Sequence, residues 1–152
     1  HRDLHLSIRR QRQMCIRDSI ETVTMVTRKP PGGLAGAPHL VENDIDVSNL
    51  SEALLVFEGS ARNAVKGFPA NVNVAVALSL AGIGPDRTTI QVWADPAVTR
   101  NTHTIKVEAD SVRFEMTIEN VPSKANPRTG ALTPLSTIAA LRGLVQPLKV
   151  GT

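Results

Sequence analysis

His103 opens the run HTIKVE, in which His103, Ile105 and Val107 alternate with Thr104, Lys106 and Glu108. Two-residue alternation marks a strand with one apolar face. The imidazole therefore shares a side with Ile105 and Val107 and looks inward or into a cleft. An imidazole of ordinary pKa exchanges protons near neutral pH, and a positioned one acts as a general acid or base. The same pattern also suits a histidine that merely closes the end of a core strand. A second group with chemical potential is Asn71 and Asn73, directly after Phe68-Pro69-Ala70 and at the head of an apolar run. Asparagines there cap helices; equally, they place an amide where helix N–H groups favour an anion. Arg28, Lys29, Lys66 and Arg100 are cations able to neutralise carboxylates, although such side chains are usually solvated. Trp93 offers a ring for stacking, but a single strand aromatic ordinarily packs.

Familiar cofactor and nucleophile signatures are absent. Gly82 and Gly84 form a G-x-G pair, yet Arg87 stands where a third glycine belongs, and the pair follows a helical pattern instead of a strand. Gly32, Gly33 and Gly36 have the wrong spacing for a dinucleotide loop. There is no Walker A pattern and no G-x-S-x-G elbow. Beyond residue 19 only two histidines, His39 and His103, remain and there is no Cys, so no metal site is expected. The Asn49-Leu-Ser51 sequon carries no weight without a secretory signal.

The elements that must position these residues follow from composition and pattern. The 152 residues are 41% apolar and 20% charged, which fits one folded domain. The formal net charge is +3. All of it lies in residues 1–19, where Arg2, Arg9, Arg10, Arg12 and Arg17 face Asp3 and Asp18; residues 20–152 are balanced. The lone Cys15 also lies there. We expect this basic arm to be non-native, because its QRQMCIRDS stretch resembles a spurious translated segment, and the initial His1 fits an open reading frame cut at its start. With the arm set aside, residues 20–152 form the domain and lose any argument for a nucleic-acid partner. No apolar run approaches the roughly 20 residues of a membrane span.

Residues 20–27 (IETVTMVT) are rich in β-branched side chains and predict a strand, ended by RKPPGG. Residues 34–50 read as loop. A short apolar run, 53–57, leads into a short helix over 61–66, and residues 71–81 predict a helix apolar nearly all round and therefore buried. Residues 88–94, 103–108 and 111–118 predict three alternating strands, the last two a hairpin. Leu132, Leu135, Ile138, Ala139 and Val145 mark a C-terminal amphipathic helix. The expected fold class is α+β: a mixed, largely antiparallel sheet of four or five strands with helices packed on one face.

Residues 62–82, RNAVKGFPANVNVAVALSLAG, resemble the core motif of the L-aspartate dehydrogenase family. Further segments agree in order: 26–31 (VTRKPP), 57–61 (FEGSA), 84–88 (GPDRT), 94–103 (ADPAVTRNTH), 119–129 and 132–152. FPANVNV and N-x-H are specific when they occur together in this order. The resemblance implies the catalytic and dimerisation domain of a two-domain enzyme whose N-terminal Rossmann domain, which binds NAD or NADP, is missing from this chain. It places the catalytic histidine on His103 and a cofactor-contacting asparagine on Asn73. It implies oxidation of L-aspartate to iminosuccinate, hydrolysed to oxaloacetate and ammonia, or the reverse, in a cytoplasmic homodimer. Asn71 and Lys66 are our candidates for the substrate carboxylates. The alternatives are a non-catalytic oligomerisation domain and a homoserine dehydrogenase-like oxidoreductase.

Overall fold

A computed structural model describes residues 20–70, 72–121 and 138. Strand β1 spans Ile20–Lys29. It runs past the predicted stop, because charged residues do not interrupt a ladder; the first residue unable to donate is Pro30. Arg28 and Lys29 thus pair with Trp93 and Ala94. A 3₁₀ turn at Pro31–Gly33 follows. The stretch expected to be loop contains a short helix, α1, Pro38–Glu42, with proline in its first turn and Leu40 buried. Five residues are too few to display a helical period, which is why the pattern missed it.

Strand β2, Leu54–Ser60, runs directly into α2, Ala61–Gly67. Ser60 caps that helix, its Oγ accepting from the Asn63 N–H at 3.3 Å. Helix α3, Asn73–Ala81, ends at Gly82. Its expected complete burial is not found. Ala75 and Ser79 are buried, whereas Val74 and Leu80 are 39% and 63% exposed. An all-round apolar sequence names no packing face, and a nine-residue helix buries only one stripe. Ser79 stays satisfied inside by donating to the Val76 carbonyl.

Strands β3, Thr88–Ala94, β4, Thr102–Ala109, and β5, Arg113–Glu119, complete one five-stranded sheet in the order β2-β3-β1-β4-β5. The β1–β3 pair is parallel; β2–β3, β1–β4 and β4–β5 are antiparallel. The predicted class and hairpin are therefore observed. Val23, Met25, Ile90, Val92, Ile105 and Val107 supply the sheet side of the core, and Leu40, Ala64, Phe68 and Ala75 the helix side. The apolar stripe of β5 was expected to point into this core, but Phe114 and Met116 are about half exposed. Residue pattern sets which face they share; the edge position of β5 leaves that face beyond α1, α2 and α3. The predicted C-terminal helix lies outside the described residues except for Ile138, which is helical and exposed.

Helices α1 and α2 meet at Gly67. A Cβ built there lies 2.7 Å from the His39 Cβ. His39 is itself wedged between Phe57 and Phe68, with ring centroids 5.2 and 5.4 Å away. It has little room to retreat. Gly67→Ala should lower stability by about 1–3 kcal/mol; urea unfolding measures it, and an unchanged midpoint would show that the contact relaxes freely.

Candidate active site on strands β1 and β4

The pleat of β1 sends Val23, Met25, Thr27 and Lys29 to one face, all four buried. On β4, His103, Ile105 and Val107 take the same face. The antiparallel register sets Thr27 opposite His103, and the Thr27 Oγ1 lies 3.2 Å from His103 Nδ1. In the tautomer that can accept a proton at Nε2, Nδ1–H donates to the threonine oxygen. Lys29 stands two residues further along β1. Lys29 and His103 are 6% and 5% exposed.

Burial is the main cause that pushes the His103 pKa down to about 4, and the nearby Lys29 charge adds to it. Burial also lowers Lys29, to about 8. The influence is one-sided for a physical reason: when Lys29 titrates, the imidazole is already neutral. At neutral pH the pair is thus a neutral imidazole beside an ammonium, able to accept a proton at one group and to attract an anion at the other.

The opposite face braces this geometry. Arg28 donates to the buried Asp95 carboxylate at 2.9 Å, and its guanidinium lies 4.8 Å from the Trp93 ring centroid. Asp95 also accepts from the Ala97 N–H at 2.9 Å, and its own N–H donates to the Lys29 carbonyl at 2.8 Å. One residue therefore fixes the end of β1 and the start of the loop that returns the chain to His103. Trp93 has a packing role here, as a platform for Arg28.

Other sequence candidates are dispersed. Asn73 is the first residue of α3 and is exposed. Lys66 is exposed on α2, a helix packed on β2 and β3. His103 lies on β4, beyond β1 in the strand order. The structure does not bring Lys66 and His103 together. Arg100 is exposed, and Asn71 lies outside the described residues. Thr27 and Lys29 are the site residues that sequence reasoning did not place with His103. Their signal was the alternation from Val23 and Met25, continued two steps further. A cavity of about 550 Å³ lined mainly by apolar groups, among them Leu40, Val41, Ile45 and Val47, lies elsewhere and does not include His103. Among the described residues no cluster of three or more metal-ligating side chains occurs, and no helix is long and apolar enough to cross a membrane.

Fold and site together define a class: an α+β domain with a histidine–lysine pair set into the buried face of a mixed sheet. Residues 11–144 match the family described as aspartate dehydrogenase, C-terminal, and the chain belongs to that family. The match starts inside the basic arm. L-aspartate dehydrogenase of Bradyrhizobium diazoefficiens is 64% identical over 134 residues, covering 88% of this chain and 48% of that protein. L-aspartate dehydrogenase of Methanosarcina mazei is 50% identical over 133 residues, with 88% and 49% covered. The crystal structure of aspartate dehydrogenase from Thermotoga maritima superposes with a TM-score of 0.69 at 28% identity, covering 90% of this chain and 49% of that one. The chain spans about half the length of the curated relatives it matches.

The depressed histidine has a sign that experiment can read. Well above pH 6.5 His103 is neutral in folded and unfolded chains alike. Between there and about pH 4 the unfolded chain takes up a proton that the folded one refuses. Stability should therefore fall as pH drops through that window, by on the order of 3 kcal/mol. For Lys29 the window is from about 8 to 10.5, where stability should rise with pH because the unfolded chain holds the extra proton. NMR titration of the imidazole and urea unfolding across pH, in the parent and in His103→Gln, check this. An imidazole midpoint near 6.5 would contradict its burial.

Proposed function

We propose that this chain is the C-terminal, proton-handling domain of an NAD(P)-dependent L-aspartate dehydrogenase. The observation that carries this reading is His103: buried, neutral, fixed by Thr27 and set beside Lys29, in a chain of the aspartate dehydrogenase C-terminal family. The reaction is L-aspartate to iminosuccinate, then with water to oxaloacetate and ammonia, or the reverse.

The residues present fit one end of a nicotinamide cofactor. Asn73 offers an exposed amide, donor and acceptor at once, at the head of α3. It would hold the nicotinamide end and set which ring face meets the substrate. Among the described residues there is no glycine-rich strand-to-helix turn to cradle a pyrophosphate; in this reading that binding belongs to a nucleotide-binding domain joined to this chain. When bound, the cofactor supplies the acceptor or donor of the hydride at the substrate Cα.

His103 acts on the nitrogen side. As a neutral base its Nε2 takes a proton from the substrate ammonium, freeing the lone pair that becomes the imine bond. Once that proton has passed to solvent, the same nitrogen takes a proton from the water that adds to the imine carbon and hands it to the substrate nitrogen, which leaves as ammonia. In the amination direction it returns the proton. Thr27 keeps the ring oriented, its hydroxyl oxygen able to accept from Nδ1–H in the tautomer that leaves Nε2 free. The same reading makes the protein a cytoplasmic homodimer without nucleic-acid or membrane partners; the charge balance of residues 20–152 agrees with the former.

The test joins this chain to the N-terminal half of the Bradyrhizobium relative and follows NADH formation with L-aspartate. His103→Ala should lower turnover by about 10²–10⁴-fold while NADH affinity, read by nicotinamide fluorescence, stays near that of the parent. Asn73→Ala should show the reverse balance, weakening cofactor binding more than turnover at saturation. Equal turnover in His103→Ala and the parent would remove the proton-transfer role.

A further inference from the structure

We infer that Lys29 receives a carboxylate of the substrate and so fixes which end of a four-carbon amino dicarboxylate meets His103. This rests on the dehydrogenase reading and adds to it a residue for substrate recognition.

The placement argues first. Thr27 is the cross-strand partner of His103, and Lys29 is the next side chain on the same face of β1. Two strand residues advance the chain by about 6.6 Å. The ammonium on its flexible stem and the imidazole can therefore address two ends of one small molecule. The polarity of the face argues second. From Val23 and Met25 it is apolar, and it turns polar at Thr27 and Lys29, where it meets His103. A lysine only 6% exposed is uncommon in a folded domain, and perturbed cations of this kind gather at functional sites.

The charges argue third. With His103 neutral and Lys29 cationic at neutral pH, a ligand carrying both an ammonium and a carboxylate is sorted by sign. Its carboxylate is drawn to Lys29, and its ammonium is repelled from Lys29 toward an imidazole that can take its proton. Lysine suits this better than arginine would. It is a compact point charge on a flexible stem and needs no bidentate geometry. Arg28 is held on the other face by Asp95 and Trp93, so it is directed away from this pair.

The test uses the full 152-residue chain and succinate, an unreactive dicarboxylate, followed through the His103 imidazole signals by NMR. The parent should show a saturable shift. Lys29→Met, which keeps length and removes charge, should weaken the succinate Kd by about tenfold or more, and Lys29→Arg should restore part of it. Lys29→Gln serves as a second neutral variant, with circular dichroism checking that each is folded. No saturable shift in the parent, or the parent's Kd in both neutral variants, overturns the assignment. If succinate affinity is unchanged while His103→Ala still abolishes turnover in the joined enzyme, only Lys29 loses its role. A joined parent that oxidises no L-aspartate removes the enzyme reading itself.

Discussion

Strand β1 is the constraint on which the rest depends. It is the central strand, hydrogen-bonded in parallel to β3 and antiparallel to β4. A strand paired on both sides cannot rotate or slip, because a one-residue shift would send Val23 and Met25 to the wrong face and Arg28 into the core. The pleat therefore fixes where Thr27 and Lys29 stand, and the register with β4 fixes which of them meets His103. Site geometry is here a consequence of ladder geometry, with no loop interposed between the imidazole and its partners.

That rigidity makes an unfavourable arrangement tenable. In this shielded setting burial disfavours the charge on both Lys29 and His103, the lysine's charge further disfavours protonation of the imidazole, and the imidazole is left neutral. On the reverse face Arg28 is paired with Asp95 across the same strand end and stacked over Trp93. The ion pair is partly exposed at Arg28 and therefore contributes modestly to stability. Its larger consequence is geometric: it commits Arg28 outward and leaves the inward position at this end of β1 to Lys29. Asp95 also shapes the loop toward β4, so the same carboxylate steadies both strands that carry the site.

Much of the fold was legible because its signals are local. Strand β3 was read to the residue, since Ile90, Val92 and Ala94 alternate cleanly against polar neighbours between two loop segments. Helix α2, expected over 61–66 and found over Ala61–Gly67, was equally local. The misreadings share a cause. The α1 helix is too short to show a period, α3 is apolar on every side and so cannot declare its exposed stripe, and the β5 stripe is apolar without being covered by the described helices. In each case burial depends on what lies opposite, and that is not encoded in the segment itself.

The candidate site divides in the same way. Sequence by itself determined that His103 faces inward on a strand, that Asn73 heads a helix, and that the motifs around them resemble one family; these are matters of side-chain period and residue identity. Only the tertiary structure decided that Thr27 is the partner of the imidazole, that Lys29 lies buried beside it, and that Lys66 stands apart on an exposed helix. Residues 27 and 103 are 76 positions apart, and nothing local to either names the other. Their meeting is set by strand order and register, which arise from how the whole chain buries its apolar faces at once.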